Sequence, residues 1–331
     1  MMRTRLPTLA ACAALLLATV PAHADDVLAL DRDGGRLLVI DHATFRLRHT
    51  VDVGTGVHEV IASADGRRAW VASYGSAQVV GHELVEVDLA DGRVVRRVDT
   101  APLLRPHGLA RAGDNVYFTA ELNRVLARFN PAEGRVDRIY GIGGDLAHML
   151  ELVPGGQQLL TADMLSGTVS RLDFRAGQPA PKLTSYRVGD KPEGLAVRPD
   201  GREAWVGLNG EGTVKVLDLE SGEIVATLPA GSYPARIEFS RDGSLAFVVD
   251  PEASTLLVFD VATRTQRHAH RIAGLPLGML PGARADRIVL SLVEAGAVVE
   301  VDVETGEVLR RVEVGQLSDG IALAETAAAG R

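Results

Sequence analysis

The chain has 331 residues, of which 46% are hydrophobic and 35 are glycine, enough apolar material for one large domain with its own core. Its 43 acidic residues outweigh 35 basic ones, so it is a poor general partner for nucleic acid or anionic lipid, and cations or neutral ligands suit it better. Cys12 is the only cysteine; a mature chain without it has no disulfide, thiolate metal site or cysteine nucleophile.

In chain order, the first element is an address. Met1–Arg5 is basic, Leu6–Val20 is apolar, and Ala22-His23-Ala24 before Asp25 fits an A-x-A cleavage site. Residues 1–24 therefore read as a signal peptide, and the mature protein as periplasmic or secreted. The apolar run is too short and too well terminated for a spanning helix, and the mature chain contains no transmembrane segment. Leu9-Ala-Ala-Cys12 imitates a lipoprotein box, but that cysteine sits inside the apolar run. Loss of Arg3 and Arg5 takes the net charge from −8 to −10.

Three strands follow, Val27–Leu30, Arg36–Asp41 and Arg46–Val53, and then a repeat. An Asp or Asn is followed four residues later by the end of a tight turn at Asp41–Phe45, Asp88–Gly92, Asn130–Gly134, Asp173–Gly177, Asp218–Gly222, Asp260–Arg264 and Asp302–Gly306. These aspartates are turn formers, because an Asx side chain bonds its own backbone. Within 193–231 the unit reads as four short strands rich in Val, Leu and Ile, punctuated by Asp200-Gly201 and Ser221-Gly222, which is a β-meander. A spacing near 42 residues in β-rich units is the signature of propeller blades. First strands begin near His58, His107, His148, Glu193, Ala235, Leu277 and Asp319, and the last unit stops after Ile321–Ala324. The expected fold is an all-β, seven-bladed β-propeller over 25–331, its last blade closed by three N-terminal strands and one C-terminal strand. Closure removes an exposed sheet edge, and a monomer is expected. Trp70 and Trp205, at equivalent second-strand positions, read as blade packing.

The run Pro192-Glu-Gly-Leu-Ala-Val-Arg-Pro-Asp-Gly-Arg-Glu-Ala-Trp-Val206, followed by Gly212-Thr-Val-Lys-Val-Leu-Asp-Leu-Glu-Ser-Gly222, resembles the YVTN-repeat, YncE-like propellers. The resemblance covers nearly all of the mature chain and implies the fold more than a function. That repeat is related to the haem d1 propeller of cytochrome cd1. Seven units do not match the eight-bladed d1 architecture, which counts against haem d1 as a cofactor.

In a meander, the second-to-third loops and the links between blades share one face. At the start of each innermost strand the seven units carry His58, His107, His148, Glu193, Ala235, Leu277 and Asp319. Three consecutive histidines and a glutamate ringing one channel mouth are donors that Zn²⁺, Mn²⁺, Fe²⁺ or Cu²⁺ accept. Loops on the same face add Tyr74, His82, Glu121, Asn123, Asp163, Asn209, Glu211, Asp250, Glu252 and Glu294 as further contacts, and the closing blade adds Asp31 and Asp33. Asp31–Gly35 opens like a calcium loop but has His42 where the loop needs its final Glu. Arg236, next to the ring, is placed to neutralise Glu193 or clamp a substrate carboxylate. The leading reading is a periplasmic module that binds a metal or small ligand through His58, His107, His148 and Glu193. A metal-dependent lactonase or lyase, with Glu193 and Arg236 in catalytic roles on a small anionic substrate, is the alternative. A scaffold for a periplasmic protein partner, with the polar ring as mere channel lining, is a third.

Overall fold

The computed structural model describes residues 25–175, 180–315 and 320–325, so Asp319 and the leader 1–24 lie outside the described residues. It is a seven-bladed β-propeller. Of its seven four-stranded antiparallel sheets, six follow one another along the chain as meanders and the seventh is built from both ends. Blades 1 to 6 span 57–99, 106–141, 147–187, 192–229, 236–271 and 276–313. In blade 7, Ile321–Ala324 is the innermost strand and pairs with Asp26–Asp31, through partners such as Val27 with Leu323. Among the described residues no helix is long and apolar enough to cross a membrane.

The burial pattern explains the stacking. Second strands such as Gln158–Asp163, Glu203–Leu208 and Leu245–Asp250 are buried at every residue, because a neighbouring blade covers each face. Seven hydrophobic clusters result, each shared by two adjacent blades; Trp205 of blade 4, for example, packs its indole edge-on against Phe239 and Phe259 of blade 5. Fourth strands are the sheet edges and carry alternating exposed charge, as in Arg93–Asp99, which deters edge-to-edge pairing.

The turns follow the sequence repeat. The carboxylates of Asp41, Asp218 and Asp302 accept from the backbone N–H three residues on, at 2.7, 2.7 and 2.9 Å. These bonds favour the ionised form and hold all three carboxyls below the usual range. The residue closing the turn is left-handed, at φ 57° for Phe45 and 73° for Gly306.

Candidate functional site

Each of His58, His107, His148, Glu193 and Leu277 is presented by a repeated backbone device. Two residues before it, the chain takes a left-handed conformation: Gly56 at φ 77°, Arg105 at 54°, Leu146 at 53°, Lys191 at 52° and Leu275 at 62°. Its carbonyl then accepts from the N–H just past or at the end of the second strand, Arg105 from Glu121 at 3.2 Å, Leu146 from Met164 at 3.0 Å and Lys191 from Asn209 at 3.0 Å. A left-handed non-glycine residue costs about 1–3 kcal/mol, so the blades hold this strain at the mouth. The register then slips by a bulge, between Val57 and Glu59, Ala147 and Leu150, and Pro192 and Leu195. The extra residues turn into the bore. A side chain at Gly108 would meet the carbonyl of His148 on the next blade at 2.5 Å, which shows how closely neighbouring innermost strands approach.

The three histidines gather into one row, the first pair edge-on and the second tilted. The His58 and His107 rings lie 4.5 Å apart at 63°, and those of His107 and His148 lie 3.9 Å apart at 30°. His107 is fully buried between its neighbours. Donor atoms of His107, Glu121 and His148 lie within 4.8 Å of one another, as do those of His58, Glu59 and His107. Glu121, also buried, meets His148 Nδ1 through Oε1 at 2.5 Å and accepts the Tyr74 hydroxyl on Oε2 at 2.6 Å. Arg105 donates to that hydroxyl at 3.1 Å and lies over the ring at 4.8 Å from its centroid. Burial, reinforced by the Glu121 carboxylate, pushes the Tyr74 phenol above its usual range, so it stays a donor. Thr119 donates to the His148 carbonyl at 2.9 Å and steadies that strand.

Glu193 completes this wall. Its Oε2 accepts the Tyr233 hydroxyl at 2.9 Å and a short bond from the Asn209 amide. Its Oε1 faces His148 Nε2 at 4.0 Å. The Tyr233 phenol is pushed up to about 12 by burial and by the charge of Glu193. His58, His148, Glu193 and Tyr233 line one side of a cavity of about 600 Å³, with Leu275, Leu277 and Val293 opposite and Arg32, Asp33 and Glu252 among its remaining walls. Only inter-blade links, mouth residues and second-to-third loops contribute to it, as the connectivity of a meander requires.

Several residues read from sequence as mouth contacts have other roles. Arg236 does not reach Glu193. It pairs with Glu59 at 2.5 Å and lies against the Met149 sulfur, lining a second cavity of about 420 Å³ that opens toward the first-to-second turns of the other face. Its guanidinium is thus engaged on the side of the second cavity, not among the residues that line the mouth cavity. His82 is an exposed strand residue bonded to Asp99 at 2.9 Å, away from the histidine row. Asp163 is buried under three hydroxyls, Thr161 at 2.8 Å, Thr168 at 2.9 Å and Ser170 at 2.6 Å, and binds its own blade together. Asp250 is spent on the backbone of Ser232, Tyr233 and Ala253 at 2.6, 3.2 and 3.0 Å; it braces the link that carries Tyr233. Tyr74 and Glu121 do join the site, the latter at the start of a short 3-10 turn, Glu121–Asn123.

Reading the repeat only at its first inner-strand position passes over a second layer. The next position is glycine at Gly108, Gly194, Gly278 and Gly320 but Glu59, Met149 and Arg236 in the other three blades. Those three long side chains are the ones that meet in the bore. Deeper still, Glu151 and Glu238 line the second cavity. Burial pushes the Glu238 carboxyl up to about 7, and burial with the nearby Glu238 charge holds Glu151 well above the usual range. Tyr233 was hidden because it sits in a link, two residues ahead of the ring position Ala235.

No family model matches the chain, and no curated protein matches it in sequence. Solved structures match it in shape. A functionally unknown protein from Desulfotomaculum acetoxidans superposes with a TM-score of 0.76 at 16% identity, covering 90% of this chain and 98% of its own. A putative 6-phosphogluconolactonase from Bacteroides fragilis gives 0.73 at 15%, covering 92% and 99%. The dihydro-heme d1 dehydrogenase NirN gives 0.67 at 18%, covering 90% of this chain and 66% of that one. At such identities the likeness is one of fold, the β-propeller.

Proposed function

We propose that this chain is an exported, YncE-like propeller that binds a divalent transition metal at one channel mouth through His58, His107, His148 and Glu193. The observation that carries the reading is the convergence of three imidazoles from consecutive blades, with ring centroids 4.5 and 3.9 Å apart, beside oriented carboxylates. Nitrogen and carboxylate donors without thiolate suit Zn²⁺, Mn²⁺, Fe²⁺ or Cu²⁺. Elemental analysis of the mature protein, beside a His58→Ala/His107→Ala/His148→Ala variant, tests it. About one equivalent of metal in the native protein and none in the variant is the expected result; no metal in either after loading and washing refutes it. Sequencing the N-terminus of the periplasmic protein tests export, with Asp25 expected as the first residue.

The cavity of about 600 Å³ beside His148 and Glu193 favours a second reading, since pockets of roughly 300–1,000 Å³ hold small molecules. A metal there would polarise a carbonyl of a lactone or a uronide, and Glu193 would serve as ligand or base. Arg236, paired with Glu59, lines the other cavity and is left out of this reading. Hydrolysis or elimination that depends on metal and is lost in Glu193→Gln supports it; inactivity of the metal-loaded protein across lactones and uronides removes it.

A further inference from the structure

Given the metal-binding reading above, we infer that the ion sits on the cavity side of His148, between Nε2 and Glu193 Oε1, and that Glu121 is a positioning residue rather than a ligand. Among the described residues, three carboxylates lie near the histidines, and hydrogen bonding separates them. Glu59 is committed to Arg236 at 2.5 Å. Glu121 uses both oxygens, one on His148 Nδ1 at 2.5 Å and one on the Tyr74 hydroxyl at 2.6 Å. For Glu121 to become a ligand it would have to break one of these contacts in a buried setting, where a stranded polar group is costly.

Glu193 is arranged the other way round. Asn209 and Tyr233 both hold Oε2, which leaves Oε1 toward His148 Nε2 at 4.0 Å, and both residues line the cavity. Two donors on one tetrahedral ion with bonds of about 2.0–2.1 Å stand about 3.3 Å apart, so a modest closing of that gap suffices. The Glu121 carboxylate then fixes the His148 tautomer: a proton on Nδ1 leaves the Nε2 lone pair for the ion. Metal-bound imidazoles commonly donate their second nitrogen to a carboxylate in this way. The two tyrosines play parallel parts, Tyr74 anchoring the orienting carboxylate and Tyr233 the ligating one.

Cobalt titration tests the assignment. Co²⁺ alone is added to the native protein, Glu121→Gln and Glu193→Gln, with affinity read by chelator competition and coordination by visible absorption. Imidazole ¹⁵N spectra of the Zn²⁺ form identify the bound nitrogen of His148. The expected result is Nε2 ligation, a changed cobalt spectrum in Glu193→Gln, and unchanged band positions in Glu121→Gln with affinity lower by about 10- to 100-fold. Nδ1 ligation, or bands that shift in Glu121→Gln and stay put in Glu193→Gln, overturns the assignment while leaving a histidine metal site intact. Absence of any Co²⁺ binding to the native protein overturns the metal reading itself, and this inference with it. Should Glu121→Gln fail to fold, Tyr74→Phe removes only the hydroxyl that anchors Glu121; weaker binding with an unchanged spectrum is again expected, and a shifted spectrum refutes the assignment.

Discussion

Arg236 and Glu59 join blade 5 to blade 1 across the bore, in an ion pair of 2.5 Å between residues 177 apart in sequence. Both side chains are largely buried, and the guanidinium also lies against Met149 of blade 3. Removing one partner leaves an uncompensated charge. Arg236→Ala is expected to lower stability by about 3–5 kcal/mol, whereas Arg236→Met with Glu59→Gln should recover most of the loss. Urea unfolding of the single and double variants measures both. Metal content should not change in Arg236→Ala, because its side chain lines the other cavity.

Glu238 gives the second cavity a pH dependence. Its carboxyl, pushed up to about 7 by burial, faces a cavity shared with Glu59, Glu151 and Arg236. A carboxyl with a raised folded pKa binds its proton more tightly in the native state. The stabilisation is therefore full below the ordinary carboxylate range and is lost as pH climbs through about 7. The difference between the folded value and the usual 4.5 corresponds to a loss of about 3 kcal/mol. Thermal unfolding of the metal-free protein between pH 5 and 8.5 should show this decline, and Glu238→Gln should make it shallower, the buried Glu151 carboxyl keeping a decline of the same sign. A native profile that rises over the same range would contradict the assignment.

Asp163 separates structural from ligating acids. Asp163→Ala strands the buried hydroxyls of Thr161 and Ser170, at a cost of about 1–3 kcal/mol for each unsatisfied group. Cobalt affinity should stay at the native value. A weakened metal site in a folded Asp163→Ala protein would restore the reading of this residue as a mouth contact.

Trp205 tests the contacts between blades. It is wholly buried between Phe239 and Phe259 of the following blade. Trp205→Ala is expected to cost about 3–5 kcal/mol, and Trp205→Phe less. Chemical unfolding measures both; a small effect for Trp205→Ala would mean that blades 4 and 5 close over the space.

The repeat made the blades legible because each turn is built by local chemistry, an Asx carboxylate on its own backbone and a left-handed closing residue, and local chemistry is written in order along the chain. The histidines were legible for the same reason: equivalent positions in a repeat project to one place. Arg236 was not. It neighbours the ring residue Ala235 in sequence, but consecutive residues of an innermost strand face different levels of the bore, so its partners are Glu59 and Met149. Asp163 and Asp250 occupy the right loops, yet a short acid at the end of a second strand finds hydroxyls or N–H groups of its own blade before it reaches the mouth. Tyr233 and Glu121 became partners of Glu193 and His148 only through the curvature of the ring, which no local pattern encodes.

The bulge of blade 1 sets His58 and Glu59 side by side, the first lining the mouth cavity and the second the cavity at the other end. The two chambers are therefore separated along blade 1 by a single trans peptide unit, with Cα atoms about 3.8 Å apart.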